Sequence, residues 1–180
     1  SLQFSGLTYG VLLILSVTFI SGLIDLPMSL YTQFVIEEKF GFNRMTVKLF
    51  FTDLIKQTVI GLIIGIPVIF AVLWMMDRMG AYWWFYVWVF WSVFNLLILF
   101  IYPMWIAPLF NKFSPLEDEA LSERIENLLK RCGFSVAGLF VMDGSKRSGH
   151  GNAYFTGFGS SKRIVLFDTL LNRLQHSEIE

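Results

Sequence analysis

The sequence predicts a mainly α-helical membrane protein that crosses the bilayer several times and carries a small α/β portion on its cytoplasmic side. Of the 180 residues, 55% are hydrophobic and only 16% are charged, whereas about a quarter of the residues in a typical soluble domain are charged. The apolar residues are concentrated in three long runs. After the third run, the pattern changes to short helices and strands typical of a soluble domain.

Each apolar run is predicted to be a transmembrane helix. The first span covers residues 1–30, the second covers residues 58–76 with Pro67 inside it, and the third covers residues 82–105. A helix needs about 20 predominantly apolar residues to cross a bilayer. Tryptophan and tyrosine gather at both ends of the third run, which is typical of membrane interfaces.

The segment between the first two spans, residues 31–57, is predicted to be an amphipathic cytoplasmic loop. Its apolar residues from 46 to 57 recur at helical spacing, which favours a helix lying at the interface. The loop contains four basic residues, whereas the hairpin on the other face contains only Arg78. Because basic residues accumulate in cytoplasmic loops, we expect this loop and the soluble portion to face the cytoplasm. Direct handling of substrate is the alternative role for the loop.

Residues 106–180 are predicted to be the soluble α/β portion. A helix is predicted to begin at the cap Ser114, followed by Pro115, and to end at Gly133. Three strands are predicted from short apolar or alternating segments, at residues 139–142, 152–155 and 163–167. Glycine and serine residues at 157–161 predict the turn between the last two strands. Further helices are predicted at residues 169–174 and near Ser177.

The sequence contains no recognisable motif for a metal site or for an activated nucleophile. The chain has two histidines, His150 and His176, and a single cysteine, Cys132. None of them belongs to an H-E-x-x-H, a C-x-x-C or another pair at ligand spacing. We therefore expect no catalytic residue and no metal ligand within this chain. The formal net charge is zero and no basic cluster is large enough for nucleic acid, so we expect no nucleic-acid partner.

Three stretches of the sequence carry a resemblance to a known family. They are FVIEEKFGFNRMT at residues 34–46, IAPLFNKFSPLED at residues 106–118 and GSKRSGHGNAYFTGFGSSKRIVLFDTLL at residues 144–171. The chain resembles the integral-membrane zinc metalloproteases that include the type I CAAX prenyl proteases. The resemblance implies that residues 106–180 are the N-terminal part of a gluzincin-like metalloprotease domain.

The resemblance also implies a zinc cofactor. In the family, a helix with an H-E-x-x-H motif follows the stretch that resembles residues 177–180. Its histidines and a distant glutamate bind zinc, and its own glutamate acts as the base on a zinc-bound water. The zinc ligands are therefore expected downstream of Glu180, and the chain alone is expected to be inactive. We expect a piece of a longer protein, whose partners are the bilayer, a peptide or protein substrate and the remainder of the protease.

The resemblance implies a substrate-binding role for the residues that remain. It places Asn152, Ala153 and Tyr154 on an edge strand, where an extended peptide adds itself as a further strand. The alternative is an ordinary hairpin whose edge is covered by another part of the protein. Lys146 and Arg147 are candidates for binding the carboxylate terminus of a substrate, with solvated loop charges as the alternative.

Two functions agree with these observations. The first is a zinc-dependent membrane endopeptidase that cleaves membrane-associated or prenylated peptides, with this chain supplying membrane spans and the substrate strand. The alternative is a truncated, non-catalytic, protease-like membrane protein that binds peptides or partners. A structural or transport role that uses Asn95, a polar residue inside the third span, is a third hypothesis.

Overall fold

The computed structural model describes residues 6–157 and 162–179, and the chain divides into two compact units. The first consists of Ser1–Lys39 and Thr46–Leu96, and the second consists of Phe40–Met45 and Leu97–Glu180. The turn predicted at residues 157–161 falls mainly on residues 158–161, which lie outside the described residues. Helices build the first unit, and a sheet with helices builds the second.

Long apolar helices form the first unit and lead into the second. They are α1 at Gly6–Tyr31, α3 at Val47–Arg78 and α4 at Trp83–Ile101, and a short charged turn, α2 at Glu37–Lys39, lies between α1 and α3. A π-helical turn at Thr32–Ile36 joins α1 to α2. Three helical stretches in the described part of the chain are long and apolar enough to cross a bilayer, namely Gly6–Lys39, Val47–Arg78 and Gly80–Leu109. The predicted fold class, a helical membrane protein with a small sheet, is therefore confirmed.

Gly10 allows α1 to lie close to α3. A Cβ atom at Gly10 would be 3.0 Å from Cδ1 of Leu73, so a larger residue would push against this side chain. Val11, the next residue along α1, is buried. Small residues commonly permit such close approach between membrane helices, because packing rather than the hydrophobic effect holds them together in lipid.

α3 differs from the prediction of an interfacial helix at residues 46–57 followed by a separate span at residues 58–76. The structure shows one continuous helix instead. No proline occurs between Val47 and Pro67, so the helical hydrogen bonding has no reason to stop between the two predicted segments. The hydroxyl of Thr46 caps the start of α3 by accepting a hydrogen bond from the N–H of Leu49 at 3.2 Å.

Asn95 is the polar residue inside α4. Its side-chain amide donates to the backbone oxygen of Trp91, four residues earlier, at 2.7 Å. Polar groups within a bilayer need a partner because water is absent there. Asn95 has such a partner within its own helix, so its side-chain N–H group is hydrogen-bonded without a partner on another helix.

The second unit contains a four-stranded mixed sheet. Its strands are β1 at Phe113–Pro115, β2 at Gly138–Met142, β3 at Ala153–Thr156 and β4 at Arg163–Phe167. Their order in the sheet is β1-β2-β4-β3. β2 and β4 are parallel, whereas β1 pairs antiparallel with β2 and β3 pairs antiparallel with β4. β3 therefore lies at an edge of the sheet.

Helix α5, at Glu119–Arg131, covers one face of this sheet. Apolar residues of α5 recur at helical spacing and are buried against apolar residues of β2 and β4. The buried cluster consists of Leu121, Ile125, Leu129, Leu139, Ile164 and Leu166. Burying each such side chain is worth about 1.5–3 kcal/mol, so this cluster is the main source of stability within the second unit.

α5 begins later than the sequence predicted. Asp118 rather than Ser114 is its N-cap, and Oδ1 of Asp118 accepts from the N–H of Leu121 at 2.9 Å. Ser114 and Pro115 belong to β1 and pair with β2. The predicted start was wrong because pairing with β2 holds this segment extended. The predicted end is correct, because Gly133 follows the helix with a φ of 69°.

The other predicted elements of the second unit are present with shifted bounds. The three predicted strands are β2, β3 and β4, and β3 begins one residue later than predicted. The helix predicted at residues 169–174 is the single turn α6 at Asp168–Leu171, and the last helix is α7 at His176–Ile179. The short α6 ends where the chain turns at residues 172–174.

Replacing Asp118 by Ala is expected to lower the thermal midpoint of unfolding at pH 7, because the helix loses its cap. The N–H of Leu121 holds the pKa of the Asp118 carboxyl below its usual value, and His176, whose Nε2 is 2.9 Å from Oδ2, adds to this effect. At pH values above the pKa of an unfolded aspartate, about 3.9, the lowered pKa of Asp118 stabilises the fold. This stabilisation is lost as the pH falls through the lowered pKa.

The difference in midpoint between the parent and Asp118→Ala proteins should therefore shrink as the pH falls below about 4. Circular dichroism of the detergent-solubilised proteins at pH 7 and at acidic pH measures it. Glu126→Ala, an exposed site in the middle of α5, serves as the control and should leave the midpoint nearly unchanged. Equal midpoints for Asp118→Ala and the parent at pH 7 would contradict the capping role.

Candidate functional site

The free side of β3 is the main candidate site. β3 pairs with β4 along one side, and no other strand in the part of the chain that the structure describes pairs with its second side. An edge of this kind presents backbone N–H and C=O groups that a further extended chain can bind. The strand order thus places β3 at the edge position that the sequence predicted.

The register of β3 on β4 decides which backbone groups face outward. The N–H of Phe167 donates to the C=O of Asn152 at 2.9 Å, so these two residues form a hydrogen-bonded pair. Such pairs alternate along an antiparallel ladder. The backbone of Tyr154 therefore bonds to β4, whereas the N–H and C=O groups of Ala153 and Phe155 point to the free side.

Asn152 covers one of these outward groups. Its side-chain oxygen accepts a hydrogen bond from the N–H of Ala153 at 2.9 Å, and the residue itself is exposed. The outward donor is thus satisfied from within the chain. Because a hydrogen bond contributes only about 1 kcal/mol net, the carbonyl of an incoming peptide can replace the Asn152 amide.

The Tyr154 side chain lies away from this edge. Its hydroxyl is 3.9 Å from Sδ of Met142, and its ring meets the ring of Phe167 edge-to-face with the centroids 6.2 Å apart. Burial raises the pKa of the Tyr154 hydroxyl, and the nearby Tyr102 adds to this rise. The side chain of Tyr154 therefore packs on the sheet, while its backbone joins the ladder to β4.

The loop that leads into β3 is held at several points. The N–H of Gly149 donates to the C=O of Phe42 at 2.7 Å, and the imidazole of His150 stacks on the Phe42 ring with the centroids 4.0 Å apart. The hydroxyl of the buried Thr169 donates to the C=O of His150 at 2.8 Å. These contacts fix the position at which the edge strand begins.

The turn before this loop, Gly144–Lys146, is also anchored. The carboxylate of Asp168 accepts hydrogen bonds from the N–H of Ser145, at 2.8 Å, and from the Ser145 hydroxyl. A Cβ atom at Gly144 would be 2.6 Å from a ring carbon of Phe167. The turn therefore requires glycine at this point, and it packs directly against the end of β4.

The two basic residues predicted to bind a substrate carboxylate have different environments. Lys146 is exposed. Arg147 is half-buried, and its guanidinium donates to Oδ1 of Asn111 at 2.6 Å and to the C=O of Phe110 at 2.7 Å. The backbone C=O of Arg147 accepts from the N–H of Arg44 at 3.2 Å. Arg147 thus ties three segments of the second unit together, which favours a structural role for it over carboxylate binding.

The residues present do not fit a zinc site. Among residues 6–157 and 162–179, no group of three or more His, Cys, Asp or Glu side chains lies close enough to hold a metal ion. His150 is stacked on Phe42, and His176 is paired with Asp118. Among the described residues, no further side chain completes a ligand set around either histidine, so we derive no metal chemistry from these residues.

Phe155 is a candidate that the sequence analysis did not single out. It lies within the predicted strand at residues 152–155, but the strand pattern does not show which residues turn their backbone groups outward. The register shows that Phe155 shares the outward orientation of Ala153. The residue is 64% exposed, which was not predictable without the strand order.

The membrane helices, the mixed sheet and its open edge define the class of the protein, which is an integral-membrane protein with a small α/β portion. Two family descriptions match the chain. "CAAX prenyl protease N-terminal, five membrane helices" matches residues 2–112, and "Peptidase family M48" matches residues 115–180. The chain belongs to the M48 family of peptidases, as the three sequence stretches indicated.

Named relatives agree with this family. CAAX prenyl protease 1 of Saccharomyces cerevisiae is 50% identical over 161 residues, which cover 89% of this chain and 36% of the relative. The CAAX prenyl protease 1 homolog of Homo sapiens is 46% identical over 165 residues, which cover 92% of this chain and 35% of the relative. The crystal structure of S. mikatae Ste24p is similar with a TM-score of 0.88 and 47% identity, covering 94% of this chain and 40% of that chain. The chain therefore spans little more than a third of the length of these relatives.

Replacing Arg147 by Lys is expected to destabilise the second unit by about 1–3 kcal/mol, because one ammonium group cannot reproduce the two guanidinium bonds to Asn111 and Phe110. Chemical denaturation of the purified protein measures this change. Lys146→Ala is the matched control, since Lys146 is exposed, and it should change stability by less than about 0.5 kcal/mol. An Arg147→Lys protein as stable as the parent would show that these bonds are not structural.

Proposed function

We propose that the protein acts as a zinc-dependent integral-membrane endopeptidase of the CAAX-prenyl-protease type. In this proposal, the chain described here supplies membrane spans and the strand that binds the substrate. The single observation that carries the proposal is the open edge of β3, with the backbone groups of Ala153 and Phe155 directed outward. The family and the names of the relatives support the peptidase activity.

The proposed binding mode is the addition of a peptide strand beside β3. Successive outward-facing residues of a strand are two positions apart, about 6.6–6.8 Å along the chain. An extended peptide has the same period, so it can bond to Ala153 and Phe155 together. The Asn152 amide, once released from the N–H of Ala153, can then bond to the peptide backbone. Each bond is worth about 0.5–1.5 kcal/mol net, which orients a peptide without holding it tightly.

The cofactor in this proposal is zinc, held by residues outside this chain and C-terminal to Glu180. The chemistry that zinc supplies in such enzymes is the activation of a water and the polarisation of a carbonyl. The role of the present residues is geometric, because a peptide extended along β3 has a defined direction and register. The substrates in this proposal are membrane-associated or prenylated peptides, since the strand belongs to a chain that also spans the bilayer.

The proposed orientation places the second unit on the cytoplasmic side. Four basic residues lie at residues 31–57, between the first two apolar runs of the sequence, and only Arg78 lies between the second and third runs. Basic residues near the ends of spans are retained preferentially on the cytoplasmic side. Accessibility of Cys132, which is exposed, to a membrane-impermeant thiol reagent in sealed right-side-out vesicles tests this orientation.

A second candidate function is a non-catalytic membrane protein that binds peptides along the same edge. The observation in its favour is the open edge of β3 itself, because strand addition binds a peptide through backbone groups and needs no metal ion. The two candidates share the open edge and differ in whether a bound peptide is cut. Binding and cleavage must therefore be measured on the same protein.

The full-length protein that contains this chain, purified in detergent, is expected to cleave an unstructured reporter peptide. A zinc chelator should abolish the cleavage, and added zinc should restore it. Fluorescence anisotropy of a labelled peptide measures binding in the same samples. Binding without cleavage would support the non-catalytic alternative, and the absence of both would contradict the proposed function of the edge.

Replacing Ala153 by Pro in the full-length protein is expected to reduce kcat/KM at least about tenfold, because proline removes an outward N–H and its ring crowds the edge. The fold should persist, since this N–H does not bond to β4. Tyr154→Pro is the matched control, because it removes an N–H from the β3–β4 ladder and should lower the thermal midpoint as well. An unchanged cleavage rate in Ala153→Pro would show that the edge donor is not used.

A further inference from the structure

Phe134 and Phe155 form an exposed aromatic patch beside the open edge. Their ring centroids are 6.3 Å apart with an interplanar angle of 46°, and the two residues are 51% and 64% exposed. The ammonium of Lys162 lies 5.3 Å from the centroid of the Phe134 ring. Contiguous exposed apolar surface can mark a binding site, and these two rings place such surface directly beside the open edge.

The backbone holds Phe134 firmly in this position. The N–H of Phe134 donates to the C=O of Leu129 at 2.8 Å, and the N–H of Gly133 donates to the C=O of Lys130 at 3.1 Å. Together with the positive φ of Gly133, these bonds form a Schellman motif at the end of α5. Phe134 is therefore carried by a capped helix end, and Phe155 is carried by a strand, so both rings have rigid supports.

The register of β3 determines what can lie against this patch. Phe155 is directly opposite Ile164, so its side chain is on the face of the sheet that α5 covers. Residues alongside each other on neighbouring strands place their side chains on the same face, about 4.5–5.5 Å apart. A peptide residue that pairs antiparallel with Phe155, through the outward backbone groups, therefore directs its own side chain to the aromatic patch.

We propose that the aromatic patch is a subsite that selects a large apolar side chain at the peptide residue pairing with Phe155. The proposal rests on the proposed function and adds to it the class of side chain that the edge prefers. A leucine-sized or aromatic side chain covers both rings. A small side chain leaves them exposed, and a basic side chain meets the positive charge of Lys162, so both are disfavoured.

A peptide series cleaved by the full-length protein tests this subsite. Each position of a reporter peptide is occupied in turn by Leu, Ala or Lys, and kcat/KM is measured for every member. One position is expected to prefer Leu over Ala by about tenfold, the effect of partly burying an apolar side chain. In Phe155→Ala and in Phe134→Ala, this ratio should fall below about threefold, because the Leu peptide should lose more kcat/KM than the Ala peptide does.

Two further variants separate recognition from stability. Phe155→Leu should restore most of the preference, because it returns an apolar surface at the same place. Leu174→Ala removes an apolar side chain that is 37% exposed and lies outside the patch, and it should leave the ratio unchanged. Equal slowing of all peptides in Phe155→Ala, with a lower thermal midpoint, would assign the patch to contact with another segment of the protein and overturn the proposal.

The outcomes also separate the subsite from the proposed function. A parent protein that cleaves the series with a Leu preference that both Phe155→Ala and Phe134→Ala retain would refute the subsite alone. A parent protein that cleaves no peptide would refute the endopeptidase and, with it, the subsite. Loss of the preference in both variants, with the Leu peptide slowed more than the Ala peptide and with the preference intact in Leu174→Ala, is the result that supports the proposal.

Discussion

The hydrogen bonding of β4 is the interaction on which the candidate site depends. β4 pairs with β2 on one side and with β3 on the other, and its central residues Ile164, Val165 and Leu166 are buried. A one-residue slip would exchange the side chains on the two faces of β4, so that each would meet a differently shaped set of neighbours. The register of β3 follows from this strand, and so does the outward direction of the Ala153 and Phe155 backbone.

The contacts on either side of β3 compensate for its short length. A four-residue strand held by one ladder is marginal by itself. Its entry is fixed by the stacking of His150 on Phe42 and by the bond from Thr169, and Arg147 holds the preceding loop to the chain that follows α4. Because the edge is already ordered, a peptide that binds there loses its own freedom but does not have to order the protein as well.

The features predictable from the sequence were those that depend on near neighbours, such as the apolar spans, the strand at Arg163–Phe167 and the glycine end of α5. The errors and omissions depend on distant residues. Ser114 has the properties of a helix cap, but pairing with β2 draws it into a strand. Arg147 resembles a free surface cation until Asn111 and Phe110 are folded against it. Phe155 becomes a candidate only when the strand order shows which side of β3 is open.

The backbone groups of successive residues in β3 alternately bond to β4 and point outward, so neighbouring residues have separate roles. Tyr154 uses its backbone for the ladder and its ring for packing against Met142 and Phe167. Ala153 offers an outward N–H and a methyl group that leaves space for a peptide, while Phe155 offers the same backbone orientation with a large apolar surface. Substitutions at Tyr154 should therefore be limited by fit to the sheet, and those at Ala153 and Phe155 by fit to a peptide. In the function proposed above, the contribution of this chain would thus be positional, because it would align a peptide for chemistry that other residues carry out.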